Sequence, residues 1–250
     1  MKTKNKPQLI VALDVNTLAE VRELMERLKD RVDIFKVGSQ LFTACGPAAV
    51  RFIEAQGKKV FLDLKFHDIP NTVANAVGAA VNLNVALERS RDYSNRQAPK
   101  SIGLFMLTVH AAGGMEMLKA AVEAARQQSG AIGLTPPRIV GVTVLTSEAK
   151  RDNILASVLK NAEMAKAAGL DGVVASCEEV AFLRKQFGPD FIIVTPGIRP
   201  ERSDVQDQKR TATPRQAVQQ GSDFLVVGRP IVDAADPLKA AEQILAEIGA

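Results

Sequence analysis

Short, largely β-branched apolar runs alternate with segments of helical periodicity from one end of the chain to the other. The runs are Leu9–Asp14, Ile34–Gly38, Lys59–Lys65, Leu104–His110, Ile139–Thr146, Gly172–Ser176, Phe191–Pro196 and Phe224–Gly228. Their centres are almost continuously apolar, as in Ile10-Val11-Ala12-Leu13 and Ile192-Ile193-Val194. That pattern marks parallel strands covered on both faces. Thr17-Leu18-Ala19-Glu20 reads as a capping box, and Leu18, Val21, Leu24, Met25 and Leu28 then form one apolar helical stripe. The last helix opens with Asp236-Pro237, an N-cap followed by a proline at the first helical position. Its buried face is expected to be Leu238, Ala241, Ile244 and Leu245. Eight strand–helix units of parallel type predict an α/β fold, a (β/α)8 TIM barrel forming a single domain over residues 1–250. A doubly wound open sheet is the runner-up, weakened because no GxGxxG follows a strand.

One connection breaks the rhythm. Asn84–Ser101 is far longer than the roughly 2–6 residues usual between a helix and the next strand. It is expected to be an insertion on the N-terminal face, away from the chemistry. No linker, repeat or low-complexity tract divides the rest.

Composition narrows the function classes. A chain of 250 residues buries roughly 70–75% of its unfolded surface, so it needs no staples. The net charge of +4 suits an anionic ligand, but the excess is small and scattered. No stretch interleaves basic and aromatic residues as a nucleic-acid surface would, and Trp is absent. Cys45 and Cys177 lie far apart without a CxxC pair, which argues against a zinc site or a disulfide framework and for reduced cytoplasmic thiols. Met1–Pro7 is short and charged, with no apolar run after it, so neither a signal peptide nor a membrane span is expected.

The chemistry concentrates at strand ends. Asp63 and Lys65 are two apart on the third strand and so share a face, with Leu62, Leu64 and Phe66 on the other. Charges at the end of an apolar strand are costly unless paired. Asp68 lies just beyond, Lys36 is near the end of strand two, and Asp14 ends strand one. Three consecutive strands thus bring charge to the C-terminal rim, where barrel enzymes build their sites. The bland alternative is a structural salt-bridge network, which rarely occupies several strand ends on one rim. A second group follows strands seven and eight: Thr195-Pro196-Gly197-Ile198-Arg199 and Gly228-Arg229. Loops after these two strands are a common phosphate site in barrels. Gly228 permits close backbone approach, and Arg229 offers a guanidinium fork. With Arg199 and the polar stretch 201–210, they suggest a phosphate-closing loop. His67 and His110 lack ligand spacing, so no metal site is expected.

Asp-Leu-Lys-Phe-His-Asp-Ile-Pro-Asn-Thr at 63–72 closely resembles the signature of the short bacterial orotidine 5′-phosphate decarboxylases. Val11-Ala12-Leu13-Asp14, Phe35-Lys36-Val37-Gly38, Val109-His110-Ala111, Val144-Leu145-Thr146-Ser147, Thr195–Arg199, Asp207-Gln208 and Gly228-Arg229 follow in the family's order. The 84–101 insertion departs from it. The resemblance implies a cofactor-free, metal-free decarboxylation of orotidine 5′-monophosphate to UMP, the last step of de novo pyrimidine nucleotide synthesis. It implies that Lys65 protonates C6 and that Lys36, Asp63, Lys65 and Asp68 form an alternating charged array. Asp14 and Lys36 would bond ribose hydroxyls, and Thr146 with Ser147 would contact the pyrimidine. Gln208, Gly228 and Arg229 would hold the phosphate, with Arg199 at the start of the closing loop and Pro196 beside the substrate. Asp68, Ile69 and Thr72 would reach into a partner's site, so a homodimer is implied. Two other classes compete. One is a magnesium-dependent sugar-phosphate decarboxylase or hexulose-phosphate synthase, against which Asp-Ile-Pro-Asn-Thr argues. The other is a phosphate-binding barrel without catalysis, against which intact Lys36, Asp63, Lys65 and Asp68 argue.

Overall fold

The computed structural model describes residues 6–83, 103–145, 153–200 and 211–249. All eight expected strands are present: β1 (Gln8–Ala12), β2 (Ile34–Gly38), β3 (Lys59–Phe66), β4 (Met106–His110), β5 (Arg138–Val142), β6 (Gly172–Val174), β7 (Ile192–Thr195) and β8 (Phe224–Val227). Each pairs in parallel with the next, and β8 pairs with β1, closing the barrel. Several strands stop short of their apolar runs: β1 ends at Ala12 and β5 at Val142. Leu13 N–H still bonds the Lys36 carbonyl at 3.1 Å, and Asp14 then turns out of the ladder. The runs overshoot because residues just past the last rung remain buried while their backbone already belongs to the upper loops. The segment 84–101 lies outside the described residues.

Helices α1 (Leu18–Leu28), α2 (Ser39–Cys45), α3 (Pro47–Ala55), α4 (Pro70–Val81), α5 (Gly114–Ala131), α6 (Ile154–Ala167), α7 (Cys177–Phe187), α8 (Pro214–Gln220), α9 (Arg229–Val232) and α10 (Pro237–Ile248) surround the strands. Thr17 caps α1 by accepting from Glu20 N–H at 3.2 Å. The Glu20 carboxylate reaches back to Asn16 N–H at 3.3 Å, one residue earlier than a standard box, and also accepts the Thr17 hydroxyl at 2.7 Å. Val21, Leu24, Met25 and Leu28 are buried as their spacing predicts, while Leu18 stays at the edge. Asp236 caps α10, which buries Ala241, Ile244 and Ile248 and only partly covers Leu238 and Leu245. None of the helices among the described residues is long and apolar enough to cross a membrane.

The core has two shells, and strand alternation divides them. Leu9, Val11, Phe35, Val37, Val60, Leu62, Leu107 and Val109 face outward under the helices. Ile10, Ile34, Phe61, Met106, Val140, Val194, Phe224 and Val226 fill the barrel interior. At the lower end Phe105 and Phe224 meet edge to face at 5.7 Å, with the Arg138 guanidinium 4.5 Å from the Phe105 ring centre. Such contacts cover the base of the barrel with aromatic area and a cation that keeps access to water. The filled base leaves the C-terminal end for a site.

Candidate active site

Inward parity places the ionic residues. Two residues beyond inward Ile34, Phe61 and Met106 come Lys36, Asp63 and Thr108, so these three also point into the barrel, one layer higher. Asp14 follows Ala12 by the same step, in the loop above β1. The result is a continuous chain of alternating charge. Lys36 Nζ lies 3.1 Å from Asp14 Oδ1 and 3.6 Å from Asp63 Oδ2. Lys65 Nζ lies 2.9 Å from Asp63. Lys36 and Asp63 are buried, whereas the Lys65 and Asp14 side chains are 37% and 42% exposed. Burying two unlike charges without partners would cost several kcal/mol each on the order of a small domain's whole stability. Here Lys36 and Asp63 each touch opposite charges, and the two outer groups, Asp14 and Lys65, line the cavity.

Lys65 reaches its place by leaving regular strand geometry. Its φ is +53°, in the left-handed region that non-glycine residues seldom occupy, and the β3–β4 register shifts between Leu62 and Phe66. The expected simple alternation through Lys65 is therefore replaced by a bulge, the device that re-aims a side chain beside a site. Asp63 and Lys65 still meet in one cavity, and Leu64 and Phe66 pack on the outer shell.

That cavity, about 250 Å³, is lined on one side by Asp14, Lys36, Asp63 and Lys65. Val142, Val144, Leu145, Val174, Val194 and Val226 give it an apolar floor and wall. Pro196, Arg199, Gly228 and Arg229 complete the rim above β7 and β8. Gly228 lies close under the ionic chain: a Cβ there would lie 3.2 Å from Asp14 Oδ2 and 3.5 Å from Ala12 Cβ. Gly197, at φ +76°, turns the chain after β7. Residues 197–199 then pair with Ala212, Arg199 N–H donating to Ala212 O at 2.9 Å and Ala212 N–H to Gly197 O at 3.3 Å. Thr213 and Gln216 complete a reciprocal capping box at the start of α8. A buried hydroxyl pair, Thr195–Ser222 at 2.7 Å, ties the top of β7 to the turn before β8.

Asp68, Ile69 and Thr72 do not line this cavity. They stand exposed on the loop after β3 and the first turn of α4, where Asp68 Oδ1 accepts Ile69 N–H at 2.6 Å. Ile69 is 65% exposed. Thr146, Ser147 and Gln208 lie outside the described residues. His67 stacks on His110 with ring centres 5.0 Å apart. Gly113 ends a 3-10 turn ahead of α5.

Two residues that the sequence reading passed over belong to the site. Gly38 ends β2, and a Cβ there would lie 2.7 Å from Lys36 Nζ, so its missing side chain makes the space for the ammonium. Thr108, fully buried, accepts Lys65 N–H at 2.8 Å and donates to Asp63 Oδ1 at 3.1 Å. Its signal was present: a hydroxyl at inward parity in an otherwise apolar strand.

Known proteins resemble this arrangement over nearly its full length. Residues 7–244 match the model of the family described as "Orotidine 5'-phosphate decarboxylase / HUMPS family". The orotidine 5'-phosphate decarboxylase of Moorella thermoacetica is 47% identical over 97% of this chain and 92% of its own. That of Geobacter sulfurreducens is 46% identical over 97% and 96%. The crystal structure of orotidine 5'-phosphate decarboxylase from Lactobacillus acidophilus superposes with a TM-score of 0.78 at 37% identity, covering 98% of this chain and all of that one. A closed parallel barrel, an alternating lysine–aspartate chain at its mouth and this breadth of similarity agree: the chain belongs to the orotidine 5'-phosphate decarboxylase / HUMPS family.

Proposed function

We propose that this site decarboxylates orotidine 5′-monophosphate to UMP without a metal or organic cofactor. One observation carries the reading: Lys65, paired to Asp63, lines the same cavity as Arg199, Gly228 and Arg229. A nucleotide needs that polarity, with a charged centre for the reacting ring and an anion cradle for its phosphate.

The chemistry defines what the residues must do. Breaking the bond between C6 and its carboxylate releases CO2 and leaves an electron pair in an sp2 orbital that the ring carbonyls cannot delocalise. The barrier must fall by ~20 kcal/mol or more, near the upper end for enzymes. A fixed ammonium beside the developing charge is the largest stabilisation available, because it needs no reorganisation as the charge appears. Lys65 supplies it, then donates its proton to C6 and is reprotonated from water. Asp63 orients Lys65 and lies near the leaving carboxylate. Asp14 and Lys36 bond the ribose hydroxyls. Pro196 and Thr146 flank the pyrimidine. Gln208, Gly228, Arg229 and Arg199 hold the phosphate, and binding energy gained there orders the charged array around the distant C6. Asp68, Ile69 and Thr72 act across a homodimer interface, in the partner's site. Their exposure on the rim loop, including a large apolar side chain, supports that arrangement.

The assay is direct. Purified protein is expected to deplete orotidine 5′-monophosphate absorbance and yield UMP at an unchanged rate in excess EDTA. Loss of turnover in EDTA, restored by Mg2+, would favour magnesium-dependent sugar-phosphate chemistry. No depletion by a folded sample would favour a binding barrel.

A further inference from the structure

We propose that Thr108 is a positioning residue for this decarboxylation, its hydroxyl holding the Lys65 ammonium against Asp63; the inference rests on the decarboxylase reading above. Thr108 does not line the cavity and so does not touch substrate. It is fully buried on β4, in the layer of Lys36 and Asp63. Its one hydroxyl serves both ends of a small ring. The oxygen accepts the backbone N–H of Lys65, and the hydrogen goes to Asp63 Oδ1. Asp63 in turn holds Lys65 Nζ. Backbone and side-chain ends of one lysine are thus fastened through a single threonine.

The bulge explains why this fastening is needed. A regular parallel strand would give the Lys65 N–H to a backbone carbonyl of its neighbour. At φ +53° the ladder is interrupted and that donor is left over. A left-handed lysine persists only where its surroundings over-determine it. The Thr108 hydroxyl replaces the missing rung, and by also fixing one carboxylate oxygen of Asp63 it sets the direction from which that group grips the ammonium. Without it Lys65 is free to relax toward the extended region, which swings the whole side chain. An ordinary buried threonine would instead satisfy its hydroxyl on its own strand and could be exchanged for valine with an effect on stability alone.

Thr108→Val keeps the shape and removes the hydroxyl; Thr108→Ser keeps the hydroxyl. For Thr108→Val, kcat is expected to fall on the order of a hundredfold, the usual effect of misplacing a catalytic group by about 1 Å. KM for orotidine 5′-monophosphate should stay within about threefold, because the phosphate and ribose contacts remain. Thr108→Ser should recover most of kcat. Amide hydrogen exchange at Lys65 gives a readout independent of turnover, expected to be faster by roughly tenfold or more in Thr108→Val and near wild type in Thr108→Ser. Wild-type kcat in a folded Thr108→Val, or equal losses in both variants, would overturn the proposal. If Thr108→Val does not fold, Thr108→Ala against Thr108→Ser makes the same comparison, and equal rates overturn it. If the wild type itself shows no turnover, the decarboxylase reading fails separately, and unchanged Lys65 exchange in the variants would then refute the hydroxyl's hold.

Discussion

Lys36 shows how much a single residue of this site depends on its neighbours' smallness. Its ammonium bridges two carboxylates in a space that Gly38 leaves open, with only 2.7 Å between Nζ and the position of an added Cβ. Because the obstructed atom ends a flexible side chain, Gly38→Ala should fold normally and displace Lys36 instead. We expect kcat/KM to drop by about tenfold to a hundredfold with Tm changed by only a few degrees, read from turnover and thermal melts. Retained activity would show that Lys36 needs no such space. At this scale the sequence was partly legible. Asp63 and Lys65 announce themselves because carboxylate and ammonium are foreign to an apolar strand. Thr108 does not, since threonine is an ordinary β-strand residue and only parity from Met106 turns its hydroxyl inward. The left-handed φ of Lys65 has no sequence signal at all, because nothing about lysine favours it.

Among the elements, the strands were readable from continuous apolarity and the helices from caps, but strand ends were not, since burial outlasts the hydrogen-bond ladder at the top of the barrel. Helix α3 carries a feature that its amphipathic pattern hides. Glu54, near its C-terminal end, is buried with both carboxylate oxygens unpartnered, and burial pushes its pKa up to about 7. The unfolded value lies near 4.5, so the folded state holds the proton more tightly. The resulting stability is fully present below pH 4.5 and is lost as pH rises through about 7. At most roughly 3 kcal/mol is at stake over that window. Glu54→Gln, which keeps the neutral shape, should match wild type in Tm near pH 4 and exceed it at pH 8. A Tm difference that does not change with pH would refute the titration of this group.

For the whole molecule, the exposed Asp68, Ile69 and Thr72 set the question of assembly. The closed barrel was predicted from eight strand–helix units and is present. Its pairing with a second copy was inferred from the resemblance alone, since a single chain offers only an exposed rim loop beside an ionic chain that lacks Asp68. If each site borrows Asp68 from the partner, Asp14→Ala and Asp68→Ala chains should each be nearly inactive. Mixed after subunit exchange, they should regain activity, because half the mixed chains pair into dimers with one intact site. Activity that stays absent despite demonstrated exchange would contradict a shared site.

Turnover by this site depends on the ammonium of Lys65, in the shared cavity, meeting the carbanion at C6. The decisive measurement is single-turnover decay of orotidine 5′-monophosphate absorbance by Lys65→Ala, alongside UMP binding by the same sample. Turnover is expected to fall by at least ~10^4-fold with the fold and measurable UMP binding retained, the scale expected when an electrostatic and proton-donating group is removed together. Turnover within tenfold of wild type in that variant would contradict it.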